Sequence, residues 1–276
     1  AQDYDVRKII DTSYNSWRSM RKGSYDWDKK KFIKMEGNHY GASREVIAYY
    51  MDPRNFLDAN DIYIFLEQSY DSKTQTVKGI EKMVDGTFMD AKITKKGDKH
   101  YGKRFAEVIL YAAKQSKVNA YVLVSTIIQE QGRSGSKLSK GTSYNGKTVY
   151  NYFNYMASGS SSSAIINNGA KYAYSQKWFT PTEALVSGAK KYGSGYINEK
   201  QDTYYYKNFN VRNPDNLIHQ YAQHVADTVR SAVTIRKTYA DYTDLKLTFR
   251  IPVFKSMPET VSKLPSKNSK YNNYYF

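Results

Sequence analysis

Carboxylates are the side chains through which this sequence could do acid–base chemistry, and Glu130 is the most isolated of them. No Asp or Glu lies between Glu107 and Glu130, and residues 131–182 contain none. Glu130 follows an apolar segment and precedes a stretch rich in Gly, Ser and Tyr. A carboxyl group at the mouth of an apolar pocket keeps its proton near neutrality, because desolvation disfavours the charged form. The sequence therefore indicates either a general acid for a glycosidic oxygen or a solvated glutamate at a helix end.

Other reaction chemistries find little support in the residue types. The chain has no Cys, which excludes thiol nucleophiles and thiolate metal sites. Of its four His, the pair His219 and His224 is five residues apart and does not share a helix face. HExxH and the phosphate-binding glycine motifs do not occur. A Ser–His–Asp triad stays open, although there is no GxSxG motif. We expect neither a metal nor an organic cofactor.

Aromatic and amide side chains that could hold a sugar follow Glu130. Residues 150–155 read YNYFNY, which supplies Tyr150, Asn151, Phe153 and Asn154 as candidates. Aromatic rings present flat apolar faces to a pyranose, and amides can hydrogen-bond hydroxyl and acetamido groups. Farther along the chain, Tyr205 and Tyr221 raise the same possibility. The alternative for each ring is ordinary packing in a core or hairpin.

The elements that position these residues are predicted to be mainly helical. Hydrophobic periodicity and capping residues predict helices over 43–51, 60–69, 77–89, 101–117 and 119–132. A further helix is predicted to begin at Thr180. A long helix is predicted after residues 213–215, with Ile218 and Tyr221 on its apolar face. Asn145-Gly146 predicts the one hairpin before the C-terminal region. Alternation over 245–254 predicts a strand, and an extended tail follows Pro258.

Composition points to a folded protein with an anionic partner. The 276 residues include 28 Tyr and carry 42 Lys and Arg against 26 Asp and Glu, a net charge of +16. So many aromatic residues are atypical of a disordered chain. No apolar run reaches the roughly 18 residues of a membrane span. The sequence AQDYDVRKII lacks a signal-peptide apolar region, which leaves two alternatives: a cytosolic chain, or a mature fragment whose export signal lies outside this chain.

Four separated motifs resemble, in order, those of the endo-β-N-acetylglucosaminidases of glycoside hydrolase family 73, the catalytic domains of bacterial autolysins. After the helix that ends near Glu130, they read YNGKTVYNYFNYMA, NNGAKYAYSQKWFTPTEALVSGAKKY, QDTYYYKNFN and HQYAQHVADT. These motifs fall between about Tyr101 and Val233. DPRNFL at 52–57 and FRIPVF at 249–254 are similar to segments of the larger Gram-positive members.

The resemblance implies a lysozyme-like, mainly helical, two-lobed fold with a small hairpin beside the cleft and a short C-terminal β segment. It implies cleavage of peptidoglycan at the β-1,4 bond on the reducing side of N-acetylglucosamine. Glu130 matches the essential acid of the family and Tyr221 its functionally important Tyr. Asn151, Phe153 and Asn154 match a cleft motif, in which Asn154 stands where Gly is usual and Tyr155 replaces an aliphatic residue.

The second catalytic group is left open by the resemblance. Some relatives place a carboxylate in the hairpin, and this chain has none there. One alternative is attack by the 2-acetamido oxygen of the substrate, oriented by Tyr221, which we favour. The other is activation of water by a remote carboxylate such as Glu199 or Asp202.

These inferences predict a domain organisation and a set of partners. We expect an N-terminal helical region over 1–99, a catalytic core over 100–240, and an extended segment over 241–276 that packs on the core. The expected protein is a secreted, monomeric cell-wall enzyme that binds peptidoglycan strands and, through its charge, anionic wall polymers, but not nucleic acid. The competing hypothesis is a basic, Tyr-rich, non-catalytic module that binds an anionic wall polymer or nucleic acid.

Overall fold

The computed structural model describes residues 8–10, 13–213, 215–217 and 219–269. The described residues are mainly helical, which confirms the expected fold class. They form two units of densely packed residues. Unit 1 comprises the described residues within 1–67, 200–240 and 249–276, and unit 2 comprises 68–199 and 241–248. These divisions concern packing, and the proposed limits of a catalytic core at residues 100 and 240 stay a prediction. Among the described residues, no helix is both long and apolar enough to cross a lipid bilayer.

The helices and strands are short. In chain order the α-helices are α1 Arg44–Met51, α2 Val77–Val84, α3 Phe105–Ser116, α4 Ala120–Gln131, α5 Lys137–Lys140, α6 Ser162–Ser175, α7 Pro181–Ser194, α8 Tyr204–Asn208 and α9 Asp227–Tyr239. The strands are β1 Lys8–Ile10, β2 Tyr25–Asp26, β3 Lys31–Phe32, β4 His39–Gly41, β5 Thr142–Tyr144 and β6 Lys147–Val149. They pair antiparallel as β1–β4, β2–β3 and β5–β6. The prediction of a single hairpin before the C-terminal region is therefore wrong.

Helix α4, which carries Glu130, is held in unit 2 by its cap and its apolar side chains. Asn119 Oδ1 accepts hydrogen bonds from the backbone N–H of Tyr121 at 2.9 Å and of Val122 at 3.4 Å, as an N-cap residue does. Gly132, at φ 72°, ends the helix. The buried side chains of α4 pack against α2 and α3. The apolar run is thus a core helix, as its length and caps predict.

The β5–β6 hairpin and helix α7 form as their local sequences predict. Asn145 and Gly146 both adopt positive φ, 45° and 73°, which a tight type I′ turn requires. Thr180 caps α7, Glu183 completes the capping box, and Pro181 is the first helical residue.

Unit 1 has an aromatic core, in which α8 and the 3₁₀ helices Pro53–Phe56 and Ile62–Phe65 contribute most rings. Its buried cluster consists of Phe56, Ile64, Phe65, Tyr205, Tyr206, Phe209 and Ala232. The helix expected over 60–69 is only the four-residue Ile62–Phe65. The helix expected over 77–89 ends at Val84, because Asp85 leaves the helical region.

The long helix expected from residue 215 begins only at Asp227, so Tyr221 lies outside it. Competing hydrogen bonds explain the difference. The backbone N–H of Tyr221 donates to the carbonyl of Lys207 at 2.8 Å, and that of Ala226 donates to His224 Nδ1 at 3.1 Å. Neither donor is therefore used in an intrahelical bond. Ile218, expected on the apolar face of that helix, lies outside the described residues.

The strand expected over 245–254 is reduced to one bridge between Leu66 and Phe249. Ile251 is 42% exposed and Val253 88% exposed, so the apolar alternation does not face a core. The buried residue between them is Pro252, which has no N–H to continue a ladder.

His224 gives unit 1 a testable pH dependence. It is buried, its ring meets His39 edge-on at 5.2 Å, and burial lowers its pKa to about 4. Between pH 6.5, where a free His titrates, and pH 4 the unfolded chain binds a proton that the folded chain does not. Stability must therefore fall as the pH falls through this window, by at most about 1.4 kcal/mol per pH unit for one proton.

The substitution His224→Asn tests this dependence, since Asn Oδ1 can replace Nδ1 as the acceptor for Ala226. Urea unfolding at pH 7, 6 and 5 should show a flatter pH dependence for the variant than for the unsubstituted chain. Equal slopes would show that His224 does not carry this linkage.

Candidate functional site

The carboxyl group of Glu130 meets the side chain of Asn154 in unit 2. Asn154 Nδ2 donates to Glu130 Oε2 at 3.1 Å and to the backbone carbonyl of the same residue at 2.6 Å. Asn154 adopts φ 51°, a left-handed conformation that Asn tolerates better than most residues. This explains how Asn can stand where the resemblance expects Gly, and it adds a donor to the candidate acid.

The orientation of the Asn154 amide is fixed by its neighbours. Gln131 Nε2 donates to Asn154 Oδ1 at 2.8 Å and to the carbonyls of Asn151 at 3.0 Å and Tyr152 at 3.1 Å. Ser136 Oγ donates in turn to Gln131 Oε1 at 2.5 Å. Because Oδ1 of Asn154 receives the Gln131 donor, its Nδ2 is the atom that faces Glu130. A relay of Ser136, Gln131 and Asn154 thus holds one carboxyl oxygen of Glu130.

Glu130 itself is exposed, and the apolar enclosure expected around it is not found. It lies one residue before the end of α4, between the exposed Gln129 and the buried Gln131. A substrate oxygen can therefore reach the carboxyl directly. If Glu130 acts as an acid, a bound glycan would have to exclude water from its carboxyl, because unit 2 does not enclose that group.

Asn151 is a structural residue in this geometry. It is 0% exposed, and its Nδ2 donates to the carbonyls of Tyr155 at 2.9 Å and Gly169 at 3.2 Å. Its Oδ1 accepts the backbone N–H of Tyr155 at 3.1 Å. The side chain closes the turn that carries Asn154, so its predicted contact with sugar would require these bonds to break.

The rings of the same segment pack within unit 2. Tyr150 and Phe153 are 7% and 6% exposed, and Phe153 stacks on Tyr192 with ring centroids 6.2 Å apart. Gly188 makes room for Phe153, since a Cβ there would lie 2.4 Å from the ring. Tyr155 is partly buried, and desolvation raises its pKa well above the usual range. Direct stacking of Tyr150 or Phe153 on a sugar stays a prediction that this packing does not favour.

The other two sequence candidates belong to unit 1. Tyr205 is fully buried in the aromatic core, and its hydroxyl donates to the carbonyl of Met51 at 2.5 Å. Tyr221 is 65% exposed and lines a groove of about 260 Å³ together with Tyr204 and Lys207. Of these two, Tyr221 is the one that a ligand can reach.

The two carboxylates proposed to activate water differ in their surroundings. Asp202 is 5% exposed, and its Oδ1 accepts a hydrogen bond from Arg212 Nη1 at 2.6 Å. Arg250 lies 3.5 Å from its other oxygen. Glu199 is exposed and ends the 3₁₀ helix Ile197–Glu199 in unit 2. Asp202 is thus committed to a structural ion pair, and Glu199 is the more accessible base.

Two residues that the sequence reasoning missed now stand out. No sequence pattern marked Gln131, because a polar residue at a helix end is usually solvated. In the structure it is 6% exposed, and its side chain donates hydrogen bonds to the turn over 151–154. Lys207 was hidden among 42 basic residues, yet it is buried. Within the described residues, no three His, Cys, Asp or Glu side chains are close enough together to hold a metal ion.

For the glycan cleavage that the resemblance implies, replacing Asn154 with glycine is expected to lower kcat about 3- to 10-fold with little change in KM, because one exposed, charge-assisted hydrogen bond is lost. Glycine keeps the positive φ, so the backbone need not move. The control is Asn145→Gly, which makes the same exchange at φ 45° in the β5–β6 turn. If both variants retain the unsubstituted kcat, Asn154 does not position Glu130.

The sequence is similar to those of named cell-wall enzymes. Over 218 residues it is 31% identical to a β-N-acetylglucosaminidase of Bacillus subtilis. This alignment covers 78% of this chain and 23% of the relative. Over 149 residues it is 32% identical to a bifunctional autolysin of Staphylococcus aureus, which covers 52% of this chain and 12% of the relative. The chain therefore spans less than a quarter of the length of these relatives. No protein-family model matches it.

Solved structures share its fold. Staphylococcus aureus glucosaminidase B superposes with a TM-score of 0.57 at 26% identity, covering 83% of this chain and 80% of the other. The major bifunctional autolysin superposes with a TM-score of 0.59 at 21% identity, covering 92% and 96%, and supports the fold alone. The chain is thus a homologue of bacterial β-N-acetylglucosaminidases and bifunctional autolysins, which confirms the resemblance to glycoside hydrolase family 73.

Proposed function

We propose that this chain is a peptidoglycan hydrolase that cleaves the β-1,4 bond between N-acetylglucosamine and N-acetylmuramic acid, with Glu130 as the general acid. The observation that carries the proposal is the accessible Glu130 carboxyl, one oxygen of which is held by Asn154 in a chain homologous to β-N-acetylglucosaminidases. Autolytic cell-wall turnover and cell separation are the biological roles that fit this activity.

The geometry gives the carboxyl a defined presentation. Asn154 Nδ2 binds Oε2, which limits rotation about the last torsion of Glu130 and leaves Oε1 for proton transfer. In glycoside hydrolysis the acid must protonate the leaving oxygen as the bond to the anomeric carbon breaks. The carboxyl of Glu130 is oriented and solvent-accessible in the free protein, so a glycosidic oxygen can approach it. The bound glycan would then exclude water from the carboxyl.

We favour the acetamido oxygen of the substrate as the nucleophile, since Asp202 is ion-paired with Arg212. Tyr221 is exposed, so its ring and hydroxyl are open to a ligand. Activation of water by Glu199 is the remaining alternative, because this carboxylate is exposed in the same unit as Glu130.

The charge of the chain suits a substrate in the bacterial cell wall. A net charge of +16 favours association with a surface rich in phosphate polymers, through long-range attraction that salt screens. We propose that the protein acts outside the cell on the wall and that anionic wall polymers retain it there.

Release of reducing sugar ends from purified peptidoglycan tests this function. The chain should generate new reducing ends in proportion to time and enzyme concentration. A non-catalytic, polymer-binding module would instead sediment with the wall in a steeply salt-dependent manner and release none. Binding without release would reject the proposed function.

A further inference from the structure

A groove in unit 2 is lined by lysines that the proposed reaction does not use. Residues from segments 73–82 and 244–246, together with Tyr121, line it, and its volume is about 280 Å³. Its charged residues are all exposed. They are four lysines and one carboxylate, Lys73, Lys78, Lys82, Lys246 and Asp244. Four cations and one anion give the lining a net charge of +3.

The single carboxylate of the lining neutralises only one of these lysines. Lys82 Nζ forms an ion pair with Asp244. Among the described residues, no carboxylate lies within ion-pairing distance of Lys73, Lys78 or Lys246. Like charges that are collected in one groove repel each other, and an anion bound among them would relieve this repulsion.

Close packing at Gly79 and Tyr121 builds the floor of the groove. A Cβ at Gly79 would lie 2.3 Å from Tyr121 Oη and 3.0 Å from Leu245 Cδ2. Tyr121 Oη donates to the carbonyl of Thr74 at 3.0 Å and accepts the backbone N–H of Thr76 at 3.2 Å. These contacts hold the chain before α2, and the distant segment around Leu245, against that helix. Lysines from two remote parts of the sequence therefore line the same groove.

The groove and Glu130 lie at opposite ends of α4. Tyr121 is the second residue of this helix, and Glu130 is one residue before its end. Nine residues at 1.5 Å each separate the two positions by about 13 Å along the helix axis. A ligand in the groove would therefore leave the carboxyl of Glu130 accessible to a glycan.

We propose that this groove binds a flexible polyol-phosphate polymer of the cell wall, with the ammonium groups of Lys73, Lys78 and Lys246 paired to its phosphodiesters. The inference rests on the proposed function, in which the protein acts on the wall and anionic polymers retain it there. It assigns this retention to one surface of the unit that carries Glu130, rather than to the overall charge of the chain.

The chemistry of the lining favours a flexible phosphodiester. Its cations are all lysines, and an ammonium group is a compact point charge that can pair with a phosphate oxygen from many directions. The exposed Thr76 can offer its hydroxyl to a polyol. A single-stranded nucleic acid would in addition stack its bases on aromatic rings. Tyr121, the ring in the described lining, is 1% exposed and offers no face for stacking.

Binding of a short, fluorescently labelled oligomer of glycerol phosphate tests the groove. The combined substitutions Lys73→Gln, Lys78→Gln and Lys246→Gln should weaken binding about tenfold at low salt, because three modest ion pairs are lost together. They should also reduce the slope of log Kd against log salt by about 2, since three phosphate contacts no longer release counterions. Because the three side chains are exposed, the circular dichroism spectrum should not change.

The matched control combines Lys114→Gln, Lys147→Gln and Lys190→Gln. These are exposed lysines of unit 2 outside the groove lining, so this variant loses the same charge from the same unit. It should keep the affinity within about twofold, because salt screens charges that lie away from the ligand. Equal weakening by the two triple variants would show that overall charge binds the oligomer, and would overturn the proposal. Failure of the unsubstituted chain to bind the oligomer would overturn it as well.

Two competitors identify the ligand chemistry. Uncharged polyglycerol should not displace the labelled oligomer, and displacement by it would show that phosphate is not the group recognised. An oligodeoxynucleotide with the same number of phosphates should compete weakly, and equal competition would overturn the choice of a polyol phosphate.

The groove and the proposed function can fail separately. Reducing-end release by the unsubstituted chain is measured on peptidoglycan freed of phosphate polymers. A chain that binds the oligomer and cleaves nothing would reject the proposed function and leave the groove supported. A chain that cleaves and does not bind the oligomer would overturn the groove alone.

Discussion

Replacing Glu130 with glutamine is expected to reduce the rate of peptidoglycan hydrolysis about 10²- to 10⁴-fold, the range that a general acid contributes. Glutamine preserves the volume of the side chain and can still accept the hydrogen bond from Asn154 Nδ2, but it has no proton to transfer to a leaving oxygen. Because Glu130 is exposed, its substitution removes no buried contact. The circular dichroism spectrum and the unfolding midpoint should therefore stay the same.

The matched control is Asp241→Asn, which removes one exposed negative charge from the same unit. This variant should hydrolyse the wall at the unsubstituted rate, which separates loss of the acid from a change in the attraction between enzyme and wall. If Glu130→Gln keeps more than about a tenth of the activity, Glu130 is not the general acid.

Replacing Asn151 with alanine is expected to destabilise the chain by about 3 to 5 kcal/mol, because three backbone groups, one in a buried and two in part-buried hydrogen bonds, each lose a side-chain partner. They are the N–H and carbonyl of Tyr155 and the carbonyl of Gly169. Urea unfolding followed by circular dichroism measures the change. A sugar-binding asparagine on the surface would instead cost little stability and raise KM.

Asn168→Ala is the control for this experiment. Asn168 is an exposed residue of α6 whose Nδ2 donates a hydrogen bond of 2.7 Å to the carbonyl of Ser158. Its replacement should cost less than about 1 kcal/mol, as is usual for surface positions. Similar stability of the two variants would contradict the structural role of Asn151.

Elements with strong local signals could be predicted from the sequence. Asn119 and Gly132 bracket α4, Thr180 and Pro181 begin α7, and Asn145-Gly146 makes the hairpin turn. In each case a capping side chain or a residue that tolerates positive φ fixes the boundary of the element. The boundary is therefore determined by a few neighbouring residues. These elements could be predicted without knowledge of their tertiary contacts.

Elements decided by distant partners could not be predicted. The segment before α9 carries a helical apolar pattern, but the Tyr221 N–H bonds to the carbonyl of Lys207, fourteen positions earlier in the chain. The alternation over 245–254 predicts a strand, yet Leu66 supplies only one bridge to it. Periodicity reports which side chains can be buried, and it does not report where the backbone groups find partners.

The candidate site was likewise only partly predictable from the sequence. The isolation of Glu130 in the sequence marked it as chemically distinctive, and the structure adds the contact with Asn154 that orients it. Burial separated the aromatic and amide candidates: Asn151 and Tyr205 are fully buried, whereas Tyr221 is exposed. Residue type alone could not distinguish a ring that packs from one that a ligand can reach.

The measurement that tests the central claim most directly is identification of the sugar at the new reducing ends. Purified peptidoglycan is digested with the chain, the products are reduced with borohydride, and the muropeptides are examined by mass spectrometry, with a Glu130→Gln digest in parallel. We predict fragments that end in reduced N-acetylglucosamine and that are absent from the parallel digest. Fragments ending in reduced N-acetylmuramic acid, or the same fragments in both digests, would contradict the account.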